Sequence, residues 1–189
     1  MSAMRSIGII LATVLVAAIA ASTTVDAQVR QEQPVSALKG HNSNAPVDVT
    51  AQRIEVQDRA DRAIFAGNVH ATQGELTLDT PRLTVAYSSG QGGNSGVQIR
   101  RLDAAGGVTV KSPSETAKGD FGIYDLDRKL ITLIGNVQLN REQNQVNGAR
   151  LVIDLDSGRA VVDGGPPGVN SSGGRVNGHF TVPQRQQPK

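Results

Sequence analysis

Ala63-Ile64-Phe65-Ala66-Gly67-Asn68-Val69-His70-Ala71-Thr72-Gln73 is the stretch that decides the fold. Ala63, Phe65, Gly67, Val69 and Ala71 share one parity, and Arg62, Asn68, His70 and Thr72 take the other. Alternation with a period of two is the mark of a half-buried strand. A glycine and a turn-former in its middle let such a strand bend without exchanging its faces. The same build returns at Ile131-Thr132-Leu133-Ile134-Gly135-Asn136-Val137-Gln138-Leu139, and a looser copy, Gly106-Gly107-Val108, lies between the two. Recurrence of one unit predicts stacked, similar layers of strand.

Outward from this stretch the pattern continues in both directions. Upstream, Val47, Val49 and Ala51 are odd where Ile54 and Val56 are even, a shift that predicts a bulge or corner. Asp58-Arg59-Ala60-Asp61 reads as a turn. Downstream, Leu76 and Leu78 give way at Pro81 to Leu83, Val85 and Tyr87 of opposite parity, so Pro81 marks a corner or an edge. The Gly- and Ser-rich stretch Ser88 to Gly96 reads as a flexible loop between two halves. Turns at Ser112-Pro113-Ser114, Asp125-Leu126-Asp127-Arg128 and Asp156-Ser157-Gly158 separate further alternating runs, the last being Arg159 to Val162. No sustained helical period follows the N-terminal stretch. The expected fold is nearly all β, with roughly ten to twelve short strands.

The ends read differently. Arg5, an apolar run of about 15 residues from Ile7 to Ala21, and the small residues of Val25-Asp26-Ala27 form a secretory signal peptide over 1–27. That run is short for a bilayer core, which needs about 20 residues. Residues 28–46 read as a flexible leader, 47–163 as the folded domain, and 164–189, rich in Pro, Gly and Gln, as a disordered tail.

Composition closes off several classes. There is no cysteine, so an exported chain is held by sheet and core alone. A formal charge of +2 with interspersed signs is too little for a nucleic-acid groove. Phe65, Tyr87, Phe121, Tyr124 and Phe180 are the only aromatics, too few for stacking platforms. Of the three histidines, His41 falls in the leader, His179 in the tail, and His70 on the polar parity of the first motif, which reads as a solvated surface residue. The pairs Asp125/Asp127 and Asp154/Asp156 flank turns, where Asp bonds its own backbone. With no nucleophile elbow, phosphate loop or converging polar constellation, the reading is a non-enzyme without metal or cofactor.

What remains is an apolar face. Its candidate inward residues are Ile54, Val56, Phe65, Val69, Leu76, Leu78, Leu83, Val85, Val108, Phe121, Ile123, Leu133, Val137, Leu139, Leu151 and Ile153. Most must pack a core. A partly unfilled groove with mid-sized apolar walls is the sharper reading, and it suits acyl chains.

The cleavable signal, followed by Val49-Thr50-Ala51, Ile54-Glu55, Ala63-x-Phe65-x-Gly67-Asn68-Val69, Gln73-Gly74, Leu76, Leu83 and Tyr87, resembles the OstA-like domain of Gram-negative lipopolysaccharide export. The resemblance spans about Val47 to Asp163. It implies a twisted, open, U-shaped β-jellyroll of repeated antiparallel strands, acting as a non-catalytic periplasmic carrier. The interior would hold the lipid A acyl chains of lipopolysaccharide, with energy supplied by an ATP-driven transporter elsewhere. Expected partners are a component of the inner-membrane transporter and the N-terminal domain of the outer-membrane translocon. Modules would dock end to end, into head-to-tail homo-oligomers as well, through an edge at Val47, Val49 and Ala51 and another at Val161. The glycine-rich loop at 88–96 and the long tail depart from the family pattern. An inner-membrane-anchored sibling shares the signature, but the short apolar run and cleavage site argue against it; the lack of a following barrel argues against a translocon. The readings from other classes are a structural β-solenoid that binds no lipid, and an enzyme on the same scaffold.

Overall fold

The computed structural model describes Leu38 and residues 41–89, 96–165 and 174–182. The stretch read as a signal peptide, most of the expected leader, the centre of the glycine-rich loop and the rest of the expected tail lie outside these residues. Ten strands form one sheet: β1 (Asp48–Thr50), β2 (Arg53–Gln57), β3 (Arg62–Gln73), β4 (Leu76–Ser89), β5 (Val97–Lys111), β6 (Glu115–Asp125), β7 (Leu130–Arg141), β8 (Asn144–Asp154), β9 (Arg159–Asp163) and β10 (Asn177–His179). A 3-10 turn, Asp58–Ala60, joins β2 to β3.

The topology is a meander. From β3 to β8 every strand pairs antiparallel with its chain neighbours. β1 and β2 lie end to end along β3, and β9 and β10 lie along β8. The first and last strands do not meet, so the sheet is open.

One line of register breaks crosses the whole sheet and folds it into two facing arms. The breaks fall between Ala66 and Val69 on β3, Asp79 and Arg82 on β4, Ala105 and Val108 on β5, Lys118 and Phe121 on β6, and Ile134 and Val137 on β7. On β3, β5 and β7 the extra residue sits in Gly67-Asn68, Gly106-Gly107 and Gly135-Asn136, all six at positive φ. These are the three copies legible in the sequence. Paired bulges of this kind bend a strand sharply while returning its side chains to the same face. On β4, β6 and β8 the corner is made without positive φ, at Thr80-Pro81, Gly119-Asp120 and Gly148-Ala149, and there the inward parity reverses. Pro81 has no N–H to leave unpaired. The buried Thr80 hydroxyl donates instead to the Arg82 and Ala105 carbonyls at 3.2 and 3.1 Å.

Three expectations change. The central strands are longer than predicted, because each central run passes through the corner instead of ending there. The leader is not wholly free: Leu38 is buried in the core, and the chain from His41 to Ala45 is hydrogen-bonded. The segment read as a disordered tail contributes β10, whose Asn177, Gly178 and His179 pair with Asn147, Val146 and Gln145. β8 needs that partner, since β9 covers only its half from Arg150 to Asp154.

Candidate functional site

The interior between the arms is built from rows of residues that face one another across successive strands. In the arm holding β2 and β9, the register runs Ile54, Phe65, Leu83, Ala104, Gly122, Leu133, Leu151 and Val162. A second row runs Val56, Ala63, Val85, Leu102, Tyr124, Ile131, Ile153 and Ala160. In the arm holding β1 and β10, Val49, Ala71, Leu78, Val110, Ala117, Leu139 and Val146 form the matching row. The result is a band of apolar side chains, running from one sheet edge to the other, with no charged side chain in these rows.

Burial grades along the band. Leu83, Leu133 and Leu151 are fully enclosed, and Val69, Val108, Val137 and Ile153 nearly so. At the β2 edge the same rows end in Ile54 and Val56, each 56% exposed. Large apolar side chains left half in water at an open sheet edge mark a surface that something else covers. Between the arms lies a pocket of about 30 Å³ lined by Val47, Ala71, Gln73, Leu76, Leu102, Tyr124 and Ile131, among others. That volume holds about one water molecule and no hydrocarbon chain. Around Leu83, Leu133 and Leu151 the interior is filled by its own side chains.

Most residues singled out in the sequence lie where expected. Val69, Leu76, Leu83, Val85, Val108, Leu133, Val137, Leu151 and Ile153 are buried, and Phe65, Leu78 and Leu139 pack against them. Val47, Val49 and Ala51 pack on the core at the β1 edge, and Val161 sits in edge strand β9 opposite Val152. Phe121 and Ile123 face outward. Phe121 is 54% exposed and pairs with Ala105 and Ile134, while Ile123 pairs with Asp103 and Thr132. Parity on β6 reverses across Gly119-Asp120, so Gly122 and Tyr124 point in. The break is silent in sequence because neither residue has positive φ. Sequence reading also passed over Gln73 and Tyr124. Gln73 shares the inward parity of Val69 and Ala71, and that was the available signal: a polar residue on an apolar face.

These two residues make a polar contact between the arms. Tyr124 Oη donates to Gln73 Oε1 at 3.0 Å, tying a strand of one arm to a strand of the other. His41 Nε2 lies 2.9 Å from the same oxygen, and Gln73 Nε2 donates to the carbonyls of Ser43 and Ala45, both at 2.9 Å. Burial raises the Tyr124 pKa, an effect partly offset by the Ser43 hydroxyl beside it.

Most charges sit outside, but Glu115 at the start of β6 is buried, with Arg141 Nε 3.7 Å from its carboxylate. Asp79 lies between His70 Nδ1 at 2.7 Å and Lys111 Nζ at 3.2 Å on the outer face, and the His70 hydrogen bond is the main cause of its lowered pKa. His70 is thus a surface partner. Asp125 Oδ1 accepts from Arg128 N–H, and Asp154 Oδ1 accepts from Asp156 and Ser157 N–H, which lowers the Asp154 pKa. Both carboxylate pairs are therefore turn-formers, as their spacing predicts. Among the described residues no group of His, Cys, Asp or Glu could hold a metal ion, and no helix is long and apolar enough to cross a membrane.

An open antiparallel jellyroll folded over an uncharged apolar band, with one polar cluster bridging its arms, is the class of protein that fold and site define. The chain belongs to the family described as LptA/(LptD N-terminal domain) LPS transport protein, which it matches over residues 48–159. A relative from Rhizobium meliloti (strain 1021), an uncharacterized protein, is 31% identical over 138 residues, covering 71% of this chain and 70% of its own. Among solved structures, LptH of Pseudomonas aeruginosa shares the fold at a TM-score of 0.63 and 19% identity, over 75% of this chain and 99% of LptH. LptH is described as the LptA-homologous periplasmic component of the conserved lipopolysaccharide transport device.

Proposed function

We propose that the chain is a periplasmic carrier of lipopolysaccharide that bridges the two membranes of the cell envelope and works without catalysis. The observation that carries this reading is the apolar band, open at both sheet edges, in a chain of the LPS transport family. Acyl chains move through such a band without meeting water, and burying them releases about 25 cal/mol per Å² of apolar surface. Because the pocket between the arms has room for about one water, cargo must spread the arms. The corner is the place to flex, since its bulged strands have already broken register there. Photo-crosslinkers at inward Phe65, Leu78 and Leu133 are expected to capture lipid A, whereas outward His70, Gln138 and Phe121 are not. Equal labelling from the two faces would sink the carrier reading.

Handover between modules follows from the edges. Each edge is divided at the corner into two short strands, β1 and β2 on one side, β10 and β9 on the other. Stacking β9 on the β2 of a neighbour, with β10 on its β1, would pair each edge's unused backbone groups and cover Ile54 and Val56. The neighbour is a second copy, a component of the inner-membrane transporter, or the N-terminal domain of the outer-membrane translocon. Because donor and acceptor edges differ, the contact is heterologous and extends into chains of modules. Chemical cross-linking over a concentration series of the purified chain is expected to give a growing ladder. A chain that stays monomeric throughout and captures neither membrane partner overturns the bridge.

A further inference from the structure

The polar cluster at Gln73 has no role in holding a sheet together, and its hydrogen bonds go to an unusual place. Gln73 is the last residue of β3, at the tip of one arm, and Tyr124 stands near the end of β6 in the other. Their hydrogen bond therefore spans the seam where the tips of the folded sheet meet. Leu38 is buried in the same core, and the chain from His41 to Ala45 lies over the pair. This segment has no strand pairing. Its backbone bonds are local turns: His41 N–H to the Leu38 carbonyl, Ser43 N–H to His41, and Ala45 N–H to Asn42. Buried Leu38, the His41 ring and the amide of Gln73 are among its anchors.

A buried side-chain amide cannot lose its partners without cost, about 1–3 kcal/mol for each group left unpaired. Whatever displaces the leader must bring carbonyl acceptors for the Gln73 NH₂ group. The Tyr124 hydroxyl stays protonated, since burial raises its pKa, and remains a donor. The small cavity adjoins both residues, so the first methylenes of an incoming chain would enter there.

We propose that Gln73 and Tyr124 form a recognition site for the ester or amide carbonyls at the head of an acyl chain, which the Ser43 and Ala45 carbonyls of the leader occupy until cargo displaces them. The proposal rests on the carrier reading and adds to it a strap across the seam and a chemical preference within the interior. The ligand class is a lipid bearing two or more ester- or amide-linked chains. A plain hydrocarbon fills the same space but offers the Gln73 amide no acceptor, and an ether lipid offers only the weaker ether oxygen.

The test uses the mature full-length chain, with purified lipid A and an ether-linked analogue of the same chain length. Lipid A is expected to bind about tenfold more tightly than the analogue, the discrimination one or two buried hydrogen bonds supply. Gln73→Leu is expected to bring that ratio near one, and Leu38→Ser to tighten binding of both lipids by loosening the strap. In the unaltered chain, lipid A is expected to speed hydrogen exchange at the Ser43 and Ala45 amides, a readout that needs no variant to fold. If lipid A binds while those amides keep their protection, or binds no better than the analogue, the recognition site is wrong and the carrier reading stands. If the unaltered chain binds neither lipid, the carrier reading falls and the site with it.

Discussion

Leu133→Ala lowers the unfolding free energy by about 2–5 kcal/mol, toward the upper end of that range. The cost of truncating a buried leucine depends on how far the surroundings can collapse into the space left behind. Here they cannot. Leu133 is fully enclosed, and the residues of β6 beneath it are glycines: a Cβ on Gly122 would stand 3.1 Å from Leu133 Cδ2, and one on Gly119 would stand 3.2 Å from Leu133 Cβ. Leu133 is seated in a slot cut by two missing side chains, and no rotamer change on β6 can fill it. Its partner on β8, Leu151, is equally enclosed. Denaturant unfolding should show a lower midpoint at an unchanged slope. A loss under about 1 kcal/mol would mean that the arms close up readily, and would weaken the account of a filled interior.

Gly135→Val and Gly67→Val are each expected to cost about 1–3 kcal/mol, because φ is +79° and +81° there and a β-branched residue is strained in that region. The neighbours make the two unequal. A side chain at 67 would press on Gln52, whose long side chain swings away. One at 135 would collide with the short Asp120 side chain, whose carboxylate accepts from Asn136 Nδ2 at 2.9 Å. Gly135→Val should therefore be the worse of the pair. Gly96→Ala, which meets open space and has no positive φ, serves as the neutral control. Unchanged melting of both valine variants would show that the corner tolerates ordinary backbone.

These two sets of residues show how unevenly the fold was written in the sequence. The corner on β3, β5 and β7 was legible because it demands positive φ, which only glycine and asparagine adopt cheaply. Pro81 announced the corner on β4 by its missing N–H. On β6 and β8 the corner uses Gly119 and Gly148 for close approach alone. A Cβ on Gly148 would stand 2.5 Å from Val162 Cγ1 and 2.8 Å from the Asp163 carbonyl. Closeness to a residue distant in the chain leaves no local mark, so Phe121 and Ile123 were assigned to the wrong face. The interior itself was mostly readable from alternation. Its polar cluster was not, because Gln73 finds its partners in Tyr124, on another strand, and in a leader whose composition resembles disorder. β10 escaped for a related reason: Asn177-Gly178-His179 has no apolar alternation, and only the uncovered half of β8 gives it a place.

The meander also has a kinetic consequence. Every large strand pairs with the one just before and just after it in the chain. A sheet of this size usually folds slowly because its strands must close long loops before any pairing repays the entropy. Here each pairing closes a short hairpin, and a nucleus formed at any hairpin can grow outward one strand at a time, in the manner of a repeat array. Growth of that kind ends at β1, β2, β9 and β10, which are short and each rest on one neighbour. The last segments to order are then the ones left for a second chain to complete, so the final step of folding and the first step of assembly draw on the same backbone groups.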